Sequence, residues 1–397
     1  VGIGLTGSKA QALGPLAFLH EVKQANASKK LHQAAEERIR FHGAAIHSKK
    51  TDCSKYPDRE EGFPRRETMR SEDLMALYRS CQLCPRRCGA NRLEGQRGYC
   101  REGAEMRVAL VEPHFGEEPP FTGTRGSGTV FFSGCSLKCR YCQNYQISMD
   151  GLGRHWSVEE LCVKILELKE RAGIHNVNFV TPDHFFPHTV LVVSRLRESG
   201  FQEPVIYNLS GYQAKESLAL IEPCADIYLP DFKYGDSALA EEFSRAADYP
   251  QVALEAISEM VRQKGFLEPW PDPADQTEPF PETARRGVLV RHLVLPGHIP
   301  NSMKALTMLR AEFGRDLPLS LMSQYCPPKL GLPGELSRPL KNEEFLAVLE
   351  YAMDLGFRRI LYQPLDPEPS WEHEKPFLPD FTRERPFPGN VRSRAQR

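Results

Sequence analysis

The chain has 397 residues, 41% hydrophobic and 26% charged, with a net charge of −1. This is an ordinary globular composition, long enough for one large α/β domain with additions or for two domains. The near-zero charge excludes a strong electrostatic pull toward nucleic acid or an anionic membrane. No apolar run approaches the ~18 residues of a bilayer span.

The first residues, VGIGLTGSKAQALG, lack the continuous apolar stretch of a secretory signal. A start at Val1 leaves an alternative start codon, a processed end or an incomplete chain open. Eleven cysteines, mostly in two tight clusters, read as metal sites in a reduced, cytoplasmic protein rather than as a disulfide scaffold. Residues 1–75 form a charge-rich extension with helical patches at Leu16–Gln24 and Leu31–Ala44, and Cys53 stands isolated.

Residues 76–105 carry the first cluster, CQLCPRRCGANRLEGQRGYC. Cys81, Cys84, Cys88 and Cys100, with Pro85 and three glycines to turn the backbone, can close a four-sulfur site. Spacing does not separate zinc from a second [4Fe–4S] cluster. Arg86 and Arg87 read as solvent-facing, with a place beside an anionic thiolate site as the alternative.

From residue 106 to 363 strands and helices alternate. Apolar strands are expected at Thr129–Phe132, Val177–Val180, Val205–Leu209, Ile227–Leu229, Val288–Leu295, Leu317–Met322 and Arg359–Tyr362. Helical patterns fall at Val158–Arg171, Thr189–Glu198, Ala214–Ile221, Ser237–Gln263, Ser302–Phe313 and Asn342–Leu355. The rhythm predicts an α/β fold with a parallel sheet covered by helices. No G-x-G-x-x-G follows a strand, so a dinucleotide fold has no support. A barrel, complete or partial, fits better, because its chemistry gathers at strand C-termini. The acidic, proline-rich Glu268–Glu282 reads as an insertion, and residues 364–397 as a surface or mobile tail.

The second cluster follows the first apolar strand. Cys135, Cys139 and Cys142, spaced C-x3-C-x2-C, put three thiolates on one tight loop. Soft sulfur suits an iron–sulfur centre, and the absence of a nearby fourth cysteine leaves one iron of a [4Fe–4S] cluster open. Cys162 sits in a helical pattern. A zinc knuckle or reactive cysteines are the alternatives, but structural zinc takes four ligands. Polar residues recur after the strands: Thr181-Pro182-Asp183-His184, Asn208, Asp231 and Lys233, and Ser323-Gln324-Tyr325. Arg291 lies inside a strand, where its charge needs a partner; a ligand carboxylate or Asp231 would serve.

The stretches GSGTVFFSGCSLKCRYCQNYQIS, NFVTPDH, DIYLPDFKYGD, VLVRHLVLPG and LMSQY, with the CQLCPRRCGANR block, resemble one branch of the radical S-adenosylmethionine (radical SAM) superfamily. That branch is similar to the pyruvate formate-lyase activating enzyme. The resemblance covers about residues 78–363 and implies a partial (βα)6-type barrel with a small N-terminal metal-binding region built on four cysteines. In that superfamily the open iron is chelated by SAM, and an electron passed to the sulfonium gives methionine and a 5′-deoxyadenosyl radical. The resemblance makes Cys135, Cys139 and Cys142 the cluster ligands and places Tyr141 near the adenine. It makes Asn144, Asn208, Asp231, Lys233 and Arg291 SAM contacts. It further implies a reductant such as flavodoxin or ferredoxin. The substrate is left as a glycyl radical enzyme, another protein or a small molecule. Two departures stand out: Val180-Thr181-Pro182-Asp183 replaces the glycine-rich turn of the activating enzymes, and the pyruvate formate-lyase activase lacks the Cys81–Cys100 block. A non-catalytic iron–sulfur or zinc protein is the reading of a different class.

Overall fold

The computed structural model describes residues 70–270, 282–329, 331–363 and 378–387. These fall in one compact unit, Cys53–Trp270 with Pro279–Arg397. The helical patches before residue 45, Cys53 and most of the proline-rich insertion lie outside the described residues.

Among the described residues, ten strands build the fold. β1 (Arg107–His114) and β3 (Arg154–His155) are antiparallel additions, with β1 lying between β3 and β2 (Ser127–Phe132). β2, β4 (Val177–Val180), β5 (Val205–Leu209), β6 (Ile227–Pro230) and β7 (Gly287–Val288) then run parallel in that order. A second parallel sheet holds β8 (Val290–Leu293), β9 (Leu319–Met322) and β10 (Ile360–Tyr362). A bridge between Asp231 and Arg291 joins the two sheets. β2, β4, β5, β6, β8 and β9 each lead into a helix before the next parallel strand, giving six strand–helix units. This is a mixed α/β fold with a parallel sheet, as the strand–helix rhythm predicts.

The expected helices form with shifted ends. The helix Val158–Ala172 begins on a capping box: Ser157 Oγ accepts from Glu160 N at 3.0 Å, and Glu160 Oε2 accepts from Ser157 N at 2.7 Å. The single helix expected over Ser237–Gln263 is instead two, Ser237–Ser244 and Tyr249–Lys264. Arg245 takes a left-handed φ of 50°. Pro250, which cannot donate to an i−4 carbonyl, sits in the first turn of the second helix. β1 is absent from the sequence expectation because Pro113 and Glu112 interrupt its apolar run; Pro113 is tolerated opposite Gly128.

Alternation along the strands sorts the core into layers. Val205, Tyr207, Tyr228 and Val290 belong to the large core shared with the helices. Ile206, Ile227, Leu229 and Leu289 point the other way and meet Phe121 and Leu267 in a separate apolar floor. Above that floor, on the same face, stand Asn208, Asp231 and Arg291. The tail expectation needs correction for residues 378–387. Phe381 and Phe387 pack with Phe131, Ile147 and Val180, while Gln146 accepts from Phe381 N at 2.8 Å and donates to Asp380 at 3.2 Å. Among the described residues no helix is long and apolar enough to cross a membrane.

Candidate active site

β2 ends at Phe132, and the chain turns at Gly134, whose φ is 84°. Only a residue without a Cβ fits there, because a Cβ would lie 2.5 Å from Glu102 Cγ. Cys135 follows, its sulfur accepting from Leu137 N at 3.3 Å and Lys138 N at 3.5 Å. Arg140 N donates to Phe243 O at 2.8 Å and Cys142 N to Cys139 O at 3.0 Å, so the loop is held by backbone bonds. The three thiols line one cavity of about 450 Å³ at the C-terminal ends of the parallel strands. Cys162 plays no part in it: its sulfur donates to Val192 O at 3.5 Å behind the sheet.

Burial raises the Cys135 thiol to about 12 and the Cys142 thiol to about 11, with the neighbouring cysteines adding to both. Three soft donors this close resist ionising together unless a cation joins them. The donor set therefore suits an iron–sulfur cluster, and backbone N–H groups already face the Cys135 sulfur. Among the described residues no three His, Cys, Asp or Glu side chains converge on a single-ion position.

Tyr141, Asn144, Asn208, Asp231, Lys233 and Arg291 all line the same cavity. Tyr141 is 4% exposed and packs on Tyr234, Phe243 and Tyr325 at 6.1–6.3 Å between ring centres. Lys233 Nζ donates to Asp231, and the Lys233 backbone is fixed by Asn301, which donates to Lys233 O at 3.1 Å. Burial works against the Lys233 charge, yet the Asp231 carboxylate more than offsets it and holds the ammonium above its ordinary value.

Arg291 departs from expectation. Its side-chain partners are Glu117 and Glu118, not the Asp231 side chain. Nε donates to Glu118 Oε1 at 2.8 Å, Nη2 to Glu118 Oε2 at 2.6 Å, and Nη2 also to Glu117. Burial opposes its charge, but Glu118 and Glu117 outweigh that and raise it further. Glu117 also accepts from Asn178 at 2.9 Å. The acidic pair in GEEPP was the available signal; its place beside a strand 173 positions later in the chain was not.

The Thr181-Pro182-Asp183-His184 turn divides. Thr181 lines the cavity with a left-handed φ of 54°, a conformation a glycine takes freely and a β-branched residue rarely does. Asp183 is buried beneath the cluster loop, accepting from Gln213 at 2.7 Å and Ser136 at 3.4 Å, and burial pushes it up to about 7. His184 is buried away from the cavity, its Nε2 2.6 Å from Ser133 O.

The four cysteines of the N-terminal block lie outside this cavity. Cys81, Cys84 and Cys100 are buried and Cys88 is exposed. Gly98 makes room for them, since a Cβ there would sit 2.8 Å from Cys88 Sγ and 3.8 Å from Cys100 Sγ. Arg86 is not solvent-facing as expected: it donates to Ser136 O at 3.0 Å and Ser244 O at 2.9 Å, tying the block to the cluster loop. Arg87 does face solvent, beside Glu216.

Residues 129–267 match the family model of the Radical SAM superfamily, a stretch that includes the cavity's cysteine loop, Asn208, Asp231 and Lys233. The chain is 27% identical over 321 residues to Uncharacterized protein MJ0674 of Methanocaldococcus jannaschii, covering 79% of this chain and 86% of that one. Among solved structures, methylornithine synthase (PylB) matches at a TM-score of 0.33 and 14% identity, over 59% of this chain and 70% of its own. SuiB of Streptococcus suis, solved bound to S-adenosylmethionine, matches at 0.38 and 10%, over 58% and 48%.

Proposed function

We propose that this radical SAM domain belongs to an enzyme that reductively cleaves SAM to start a hydrogen abstraction. The carrying observation is that the three thiols of C-x3-C-x2-C share one cavity with Asn208 and the Asp231–Lys233 pair. Held by the three thiolates, a [4Fe–4S] cluster reduced by an external donor would supply one electron, and SAM would supply the sulfonium that accepts it, its cleavage giving methionine and a hydrogen-abstracting 5′-deoxyadenosyl radical.

The chain's own residues bind, orient and exclude water. Cys135, Cys139 and Cys142 are the cluster ligands in this reading. Tyr141, immobilised by three aromatic neighbours, offers a face to the adenine, and Asn144 and Asn208 offer amides to the ribose or amino-acid end. Asp231 holds the Lys233 ammonium in place beside the cavity. Arg291, braced by Glu117 and Glu118 in the cavity wall, is a SAM contact in this reading. The apolar floor under the polar layer keeps water from entering below.

The resemblance supports a pyruvate formate-lyase activase-like subtype, with a glycyl radical enzyme, another protein or a small molecule as target and a flavodoxin or ferredoxin as reductant. In this reading the Cys81–Cys100 block is a second metal centre, and because no three of its thiols converge on a single-ion position, an iron–sulfur cluster is favoured over zinc. Anaerobic reconstitution with iron and sulfide, then SAM and dithionite, tests the central reading. Release of 5′-deoxyadenosine is expected. Its absence from protein carrying a full cluster would leave only a binding role.

A further inference from the structure

Arg92 is a buried cation that makes no ion pair among the described residues. It sits in the single turn Arg92–Glu94 inside the cysteine block and is 1% exposed. Nε and Nη2 donate to Gly103 O at 2.9 and 2.5 Å, and Nη1 donates to His184 O at 2.5 Å. The guanidinium lies 4.2 Å from the centre of the Tyr78 ring. Carbonyls and a ring satisfy its donors, not its charge. Among the described residues no carboxylate lies within ion-pair distance of it, and the buried carboxylate of the block, Glu102, is taken by Arg107. The remaining neighbour is sulfur: Nη1 is 3.8 Å from Cys81 Sγ.

Two further cations flank the block. Arg86 and Lys138 both lie over the Tyr99 ring, at 4.3 and 4.7 Å. Buried charges are ordinarily paired or spent on a metal centre, because leaving one unpaired is strongly unfavourable. Neutral thiols cannot balance Arg92. Four thiolates around a [4Fe–4S]²⁺ core carry a net negative charge and can.

We infer that Arg92 is the internal counter-charge of a metal-bound tetrathiolate formed by Cys81, Cys84, Cys88 and Cys100. The inference rests on the reading of that block as a metal centre. Arg92 touches one ligand sulfur and acts on the centre through charge, so it is a positioning residue. Its contact with His184 O also ties the centre's charge to the turn after β4, one residue beyond Asp183.

The test uses the full chain with Cys135, Cys139 and Cys142 changed to alanine, so that all bound metal reports on the block. Zinc and iron are counted, and thermal midpoints are taken for metal-loaded and chelator-stripped protein, each with Arg92, Arg92→Met and Arg92→Lys. Arg92→Met should lose metal to a chelator about tenfold faster or more. It should lower the midpoint of loaded protein and raise that of stripped protein, because the unpaired charge is gone. Arg92→Lys should restore most of the metal retention. A midpoint lowered equally in both states would make Arg92 a packing residue and overturn the inference, as would unchanged metal retention. Should Arg92→Met not fold, Arg92→Gln, which keeps hydrogen-bond donors without charge, carries the same opposite-sign expectation. A parent chain holding neither metal would sink the metal reading of the block itself, a result read before any Arg92 variant.

Discussion

Arg291 on β8 grips Glu118, from the β1–β2 connection, at two points: Nε to Oε1 at 2.8 Å and Nη2 to Oε2 at 2.6 Å. Their side chains are 12% and 10% exposed, so the pair is screened little by solvent. Removing one partner strands the other. Arg291→Met should destabilise the protein by about 3–5 kcal/mol, measured by denaturant unfolding, while iron loading on the cysteine loop survives in the folded fraction. Burial opposes the Glu118 charge, but Arg291 outweighs it and holds the carboxyl below its ordinary value. The pair's stabilisation is therefore complete above the ordinary glutamate range and lost as pH falls through the depressed value. A variant as acid-resistant as the parent, and equally stable, would show that the pair contributes nothing.

The cysteine loop makes a separate prediction. Replacing Cys135, Cys139 and Cys142 with alanine should remove about four irons per chain and abolish 5′-deoxyadenosine formation. The helices and outer core should persist, since the thiols face the cavity. Iron analysis beside circular dichroism checks both halves. SAM cleavage surviving in this variant would move the cluster elsewhere.

Lys233 is held by Asp231 at 18% side-chain exposure, facing the cavity. A charge-assisted hydrogen bond is worth about 1.5–3 kcal/mol, so Lys233→Met should weaken SAM binding by roughly 10–100-fold. Cluster iron should be unaffected. Equilibrium binding of SAM to reconstituted protein reads this directly; unchanged affinity would assign Lys233 a purely structural part.

Phe387 lies with its ring centre 4.5 Å from His114 and 5.2 Å from Phe131, and both Phe387 and Pro379 line the cavity. Aromatic pairs contribute about 0.5–1.5 kcal/mol each. Phe387→Ala should therefore speed maleimide labelling of Cys142 in metal-free protein by several-fold to about tenfold. A labelling rate equal to the parent's would show that this segment does not seal the cavity.

How much of this was legible beforehand differs from residue to residue. Cys135, Cys139 and Cys142 are close in sequence, so a single loop carries their chemistry and spacing reveals it. The strand–helix rhythm is equally local: apolar runs such as Val177–Val180 bury both faces, and the Ser157–Glu160 box announces a helix start in adjacent letters. Tertiary structure decided the partners. Arg291 looked like a charge in search of a ligand because Glu117 and Glu118 stand far away in the chain, and only closure of the sheet brings them to it. The segment 378–387 has a tail's composition, yet two phenylalanines find an apolar wall that β2 and β4 create together. Arg92 reads as one more basic residue in an arginine-rich block; that it is buried, with a thiol beside it and no ion pair among the described residues, follows from packing alone. Short-range patterns specify elements and ligand sets, because their causes are local backbone and side-chain preferences. Charge pairing and cavity walls depend on contacts across more than a hundred residues, which no spacing in the sequence encodes.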